Sequence, residues 1–393
     1  MSAEAEGARL LAEVEEEGLD EFLSDLRHLL YPHKPKLGIP PLDRLLEVFC
    51  APAQRLAAPH CSSPHPEDDV DGHGQDEDPA THSNFLNSQA SRWKPVIIEL
   101  TSSLPASGKT NLLYWITALA VLPSDNGGQG TAVVWFDNDG RFSAARLREV
   151  VLGTVSSSTA NEGSIGGEDG RESLVLDALT HVHVFRPQSS RQLIETLYSL
   201  PSYLLDATAH PSISRRLGLL VLDSASAFYW QDRYDSETAR FQHPDQPRDK
   251  PSRTAEVITK LRDLQKEFDC AIAYSTSSAF TTMTKPALLS TSDPAAPQES
   301  WSASAWTRFA SLTLNLSRVV VPHFPSHMSL NECLRDQEKR QGTVAMVKFL
   351  AEVDRHGSET WTAGVKEEWN KMEAGSSFRF GFGTAVPVES VRM

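Results

Sequence analysis

The stretch "TSSLPASGKT", residues 101–110, decides how the rest of the chain is read. Its end, Ser107-Gly108-Lys109-Thr110, matches the close of the phosphate-cradling pattern G-x-x-x-x-G-K-[ST], but Ser103 stands where that pattern opens with glycine. In such a loop Gly108 lets the backbone approach a phosphate, Lys109 reaches the terminal phosphates and the Thr110 hydroxyl ligates Mg²⁺. ATP and Mg²⁺ are therefore the expected ligands, with Ser103 and Ser107 completing the cradle. A glycine at the first place serves positive φ or close packing, which serine tolerates less well. Weakened affinity, rather than loss of the site, is the expectation. On the motif alone, a working site and a decayed loop kept for its fold both remain open.

Working outward, "PVIIEL" (95–100) precedes the loop and "NLLYWITALAVL" (111–122) follows it. The first is a short apolar, β-branched run and the second has a helical apolar face stopped by Pro123, so the loop joins a strand to a helix N-terminus. There, free backbone N–H groups hold phosphate oxygens. Further strand-like runs are "TAVVWFD" (131–137), "HVHVF" (181–185), "LGLLVLD" (217–223) and "CAIAYS" (270–275), and "TAEVITKLRDLQKEF" (254–268) reads as another helix. Strands apolar on both faces, alternating with helices, imply an α/β fold with a mostly parallel central sheet. "SFRFGFGTAV" near the end reads as a strand closing that sheet.

A phosphate loop implies an acidic partner at the end of another strand. Asp223, closing "LLVLD", is suited to hold Mg²⁺ directly or through water, as a Walker B aspartate does. Hydrolysis would also need a carboxylate to orient water, and the candidate segment is "WFDNDGRF" (135–142).

Composition bounds the partners. The chain has 393 residues, 40% of them hydrophobic, and a formal charge of −15. That charge excludes coating nucleic acid by bulk attraction, so any DNA contact must be local. Cys50, Cys61, Cys270 and Cys333 are too scattered for a zinc set, and the absence of a signal peptide or long apolar span points to a reducing compartment. "LDEFLSDLRHLL" near the start has helical apolar spacing and suits a docking arm, with 1–35 read as a short arm and 36–393 as one domain. Residues 51–92 and about 155–172 are polar, with few large apolar groups, and read as disordered insertions. His60, His65, His73 and His82 in the first lack ligand spacing, and no metal site is assigned to them.

The segments "IIELTSSLPASGKTNLLYWITALAVLP", "VVWFDNDGRF" and above all "LLVLDSASAFYWQDR" resemble the ATPase core of RecA-type recombinases, specifically the eukaryotic recombinase paralogues. The resemblance covers roughly residues 36–385 and implies a RecA-like P-loop ATPase core. It leaves no room for the helical DNA-binding domain that filament-forming recombinases carry. It makes Lys109 and Thr110 the nucleotide loop, Asp223 the Walker B acid and Asp139 the occupant of the catalytic glutamate's place, one methylene short, so that hydrolysis should be weak. It sets Ser277 where a glutamine senses the terminal phosphate. Two segments correspond to DNA-facing loops. In 230–253, Arg233, Arg240, Arg248, Lys250 and Arg253 accompany Trp230, Tyr234 and Phe241, cations and stacking faces as single-strand binding uses them, though interleaved acids equally suit a charged surface loop. In 278–308, Trp301, Trp306 and Arg308 suit a return into the core, and Phe228, Tyr229 and Trp230 suit packing.

The resemblance implies homologous-recombination repair of double-strand breaks in the nucleus, in a hetero-oligomer with other paralogues that supports the recombinase filament on single-stranded or branched DNA, with no membrane association. A DNA-dependent ATPase is the alternative, and an unrelated P-loop kinase has less in its favour.

Overall fold

A nine-stranded sheet in the order β3-β2-β4-β5-β1-β6-β7-β8-β9 organises the chain in a computed structural model. The structure describes residues 36–52, 93–159, 168–242, 252–277, 304–319, 325–337, 341, 348–356, 358–372, 377–381 and 389–390. The arm expected at 1–35, the four-histidine segment and Trp301 lie outside them. The described residues belong to one unit, 35–393.

The strands are β1 (Ile97–Thr101), β2 (Ala132–Asp137), β3 (Val182–Phe185), β4 (Leu217–Asp223), β5 (Ala271–Ser275), β6 (Leu312–Arg318), β7 (Phe349–Val353), β8 (Ser377–Phe380) and β9 (Glu389–Ser390). The helices are α1 (Pro40–Phe49), α2 (Lys109–Val121), α3 (Ala144–Thr159), α4 (Glu168–Thr180), α5 (Ser190–Leu204), α6 (Tyr229–Gln242), α7 (Arg253–Phe268), α8 (Ala305–Phe309), α9 (Leu330–Arg335) and α10 (Ala363–Lys371). All pairings from β3 across to β6 are parallel, and β6 to β9 continue antiparallel. The five strands and two long helices read from sequence are present, and the sheet is the mostly parallel, helix-flanked core that the resemblance implies.

Period-two alternation sends neighbouring strand residues to opposite faces. Ile98, Val133, Trp135, Leu219 and Val221 pack with α1, α2 and α3, while Ile97, Val134, Phe136, Leu220 and Leu222 pack with α5 and α7. Both faces of the parallel strands are therefore covered, which accounts for their unbroken apolar character. Helix α2 is buried nearly all round and ends where Leu122, forced into extended backbone by Pro123, leaves it. Glu99, midway along β1, is a buried acid in this core, accepting from Thr276 Oγ1 at 2.8 Å and Thr313 Oγ1 at 3.2 Å. Burial raises its pKa, and the hydroxyls offset part of the desolvation.

Two expectations need correcting. Of the insertion expected at about 155–172, the flanks belong to α3 and α4, and only 160–167 lies outside the described residues. The segment read as a DNA-facing loop from 230 is helical as far as Gln242, because Phe228 anchors its start against the core and its polar residues face solvent. Trp306 does pack, its ring centroid 5.1 Å from that of Tyr274. On the antiparallel strands Phe349 and Phe380 stack at 5.5 Å, and nearby Phe49 of α1 meets Trp361 at 5.1 Å.

Candidate functional site

The C-terminal ends of β1, β2 and β4 bring together the loop and the acids singled out from sequence. Cross-strand register sets Asp137 directly opposite Asp223. Thr110, in the first turn of α2, donates its hydroxyl to Asp223 Oδ2 at 2.8 Å. Ser275 at the end of β5 donates to Asp223 Oδ1 at 2.7 Å, and its own oxygen accepts the Ser224 N–H at 2.7 Å. Both oxygens of the Asp223 carboxylate are thus held. Burial raises the Asp223 pKa against the lowering effect of these two hydroxyls, with Asp137 adding to the rise.

Lys109 bonds to the Ser102 hydroxyl, which in turn donates to the Leu104 carbonyl at 3.0 Å. Burial lowers the Lys109 pKa, opposed by the charges of Asp223 and Asp139. Asp139 has a side chain 32% exposed, so water reaches it, and it pairs with Arg141 at 3.5 Å. Its pKa is raised, first by burial and then by Asp223.

The conformational demand of the loop falls elsewhere than the sequence suggested. Ser103 is exposed and is not among the described positive-φ residues, which include Ala106 (φ 56) and Gly108 (φ 94). Gly108 is required twice over, since a Cβ there would sit 2.6 Å from the Phe349 ring as well as in a left-handed conformation. Ser224, just past Asp223, is also left-handed (φ 64), so backbone strain gathers at this end of the sheet.

These residues fit a bound nucleotide phosphate. Ser107 is buried, yet its Oγ has no hydrogen-bond partner, an orphan that a phosphate oxygen would satisfy. Gly108 is the N-cap of a 13-residue helix with no side chain capping it, so first-turn N–H groups face the loop.

Sequence reasoning missed Ser102 and Ser275. It singled out Ser277, two residues beyond the end of β5; a period-two count back along the strand reaches Ser275 on the same side. It also passed over Asp137 and Arg186, whose pairing only the fold reveals.

The proposed DNA-binding residues separate. Arg233 Nε donates to Glu237 at 3.0 Å, and its guanidinium lies 5.6 Å from the Trp230 ring centroid. Arg253 pairs with Asp232 at 2.9 Å and Asp235 at 2.7 Å. Arg240 lies on α6 with its side chain outside the described residues, as are Arg248 and Lys250. Trp230, expected in the core, is instead 52% exposed; with Tyr234 (70%) and Phe241 (87%), at spacings of four and seven, it shares one face of α6.

No protein-family model matches the chain. It is 35% identical to DNA repair protein XRCC2 of Mus musculus over 127 residues, 32% of this chain and 39% of that protein. A second relative, DNA repair protein RAD51 homolog 2 of Homo sapiens, is 26% identical over 241 residues, 61% of this chain and 56% of that protein. The chain therefore matches less than two thirds of either relative's length. The RecA-like α/β core agrees with this relationship.

Proposed function

We propose that this chain is a recombinase paralogue acting in homologous-recombination repair of DNA double-strand breaks in the nucleus. It joins other paralogues in a hetero-oligomer, promotes or stabilises the recombinase filament on single-stranded DNA, and holds ATP with Mg²⁺ mainly as a structural ligand. The observation that carries the nucleotide part is the Thr110–Asp223–Ser275 chain beside Lys109, with the orphaned Ser107 hydroxyl next to it. The first-turn amides, Ser107 and Lys109 would hold phosphates, and Thr110 and Asp223 would hold Mg²⁺. Bound Mg²⁺ supplies charge neutralisation to the terminal phosphates. Asp139 is shorter than glutamate and is placed less favourably for water, so turnover is slow. DNA contact by this chain falls to the Trp230, Tyr234 and Phe241 face of α6, where bases stack without need of free cations, while described Arg233 and Arg253 are engaged by acids. No described helix is long and apolar enough to cross a membrane.

A DNA-dependent ATPase is the second reading, favoured by one observation: burial and Asp223 raise the Asp139 pKa, which suits a water-activating base. Equilibrium binding of a fluorescent ATP analogue with Mg²⁺, to wild type and Lys109→Ala, alone and with a paralogue partner, tests the site. Binding lost in the variant supports it, and no binding in either preparation sinks it. DNA-stimulated turnover would favour the second reading. Complementation of damage-sensitive cells by Lys109→Ala tests the structural-ligand role, which complete failure at normal expression would overturn.

A further inference from the structure

Asp137, at the end of β2, is 1% exposed and sits opposite Asp223. A carboxylate so placed is costly unless compensated, and its two oxygens are both engaged. The Arg141 N–H donates to Oδ1 at 2.8 Å, and Arg186 Nε donates to Oδ2 at 2.9 Å. Arg186 follows edge strand β3, and its Nη2 also reaches the Phe142 carbonyl at 3.3 Å. One guanidinium therefore touches both ends of the turn 137–142, and Asp139 is in its middle.

The charge count gives this clamp a meaning beyond packing. Asp137, Asp139 and Asp223 converge on strand ends where Lys109 is the loop's only cation and exposed Arg141 pairs with Asp139 at 3.5 Å, and a triphosphate would bring more negative charge. Asp137 already acts on its neighbours, raising the pKa of both Asp223 and Asp139. Arg186 is the group that cancels it.

We propose that Arg186 is a positioning residue of the nucleotide site: it neutralises buried Asp137 and fixes the 137–142 turn, so that Asp139 is presented at the strand ends and that acidic end accepts a polyanion. This rests on the nucleotide reading above for its function, but the clamp itself can be measured without nucleotide.

The test compares full-length wild type with Arg186→Gln, Arg186→Lys and the double variant Arg186→Gln/Asp137→Asn. Without nucleotide, hydrogen exchange at the Arg141 amide is expected to quicken about tenfold or more in Arg186→Gln and to return to within about threefold of wild type in the double variant, where the carboxamide oxygen introduced by Asp137→Asn still accepts that N–H. Affinity for the Mg²⁺-loaded ATP analogue should fall about tenfold in Arg186→Gln, less in Arg186→Lys, which keeps charge without the two-pronged fork, and recover when the Asp137 charge is removed. A role confined to supporting β3 would not be rescued by Asp137→Asn, and that failure overturns the proposal, as does unchanged exchange at Arg141 in Arg186→Gln. If wild type binds no analogue, the nucleotide reading falls, and the exchange comparison still decides whether the clamp exists.

Discussion

Two buried polar clusters occupy opposite ends of the same sheet, and they are built on different principles. At the C-terminal ends of β1, β2 and β4, unlike charges face one another and hydrogen-bonding capacity is left over, at Ser107 Oγ and Asn138 Oδ1. At the entrance to β3 and β4, His181, His183 and His210 gather around Ser212, all four buried. Ser212 Oγ lies 2.8 Å from His181 Nδ1 and 2.9 Å from His183 Nε2, while His183 Nδ1 lies 3.0 Å from the Tyr203 hydroxyl. His210 accepts the Ser212 N–H on Nδ1 and so carries its proton on Nε2, which donates to the Tyr203 carbonyl. Neutral imidazoles satisfy every one of these bonds. The lesson is that polarity in a core is not itself a site: the histidine cluster finds its partners within the protein, His181 Nε2 lying 4.0 Å from Asp177, whereas the carboxylate cluster retains charge and spare partners for a ligand.

The largest expected effect breaks the open cluster. Gly108→Ala adds a Cβ against Phe349 at a left-handed position and should cost about 3 kcal/mol or more, read by chemical denaturation. Lys109→Ala removes the cation that faces Asp223 and Asp139, and analogue affinity should fall about a hundredfold, or about 2.7 kcal/mol. In the closed cluster Ser212→Ala strands two imidazoles and should cost about 1–3 kcal/mol in the same denaturation assay, with nucleotide affinity unchanged.

Acid should separate the two ends by sign. Burial, reinforced by His210 and His181, lowers the His183 pKa from 6.5 to about 4. The unfolded chain takes up that proton first, so this contribution is intact above the unfolded value and is lost as pH falls towards the folded one. Stability should therefore decline between about pH 6.5 and pH 4, and less steeply in His183→Gln. The raised carboxylates Asp139 and Asp223 act oppositely, since the folded chain binds their protons first. The smallest effect is expected from Ser103→Gly. Because Ser103 is exposed and lacks positive φ, restoring the glycine should change analogue affinity less than about threefold.

Much of the parallel half was legible, because both-face burial leaves long apolar runs that only a covered strand would carry, as in "LGLLVLD". Helix α1 was not read, although Pro40 and Pro41 at its start and Leu42, Leu45, Leu46 and Phe49 at helical spacing signal it. β6 was also passed over, and its alternation is plain in "LTLNLSR". The chemistry of its charges and aromatics makes α6 read as a loop, whereas the spacing of four and seven between Trp230, Tyr234 and Phe241 marks one helical face.

The sequence by itself determined the place of "TSSLPASGKT" between a strand and a helix, and it marked Lys109, Thr110, Asp139 and Asp223 as the candidate site. These are local patterns, and local backbone geometry follows from them. Only the tertiary structure decided that Asp137 faces Asp223, that Ser275 holds the Asp223 carboxylate, that Phe349 lies over Gly108, and that Arg186 reaches Asp137 from the sheet edge. Such contacts join residues tens to hundreds of positions apart, and strand order and register alone determine which of them meet.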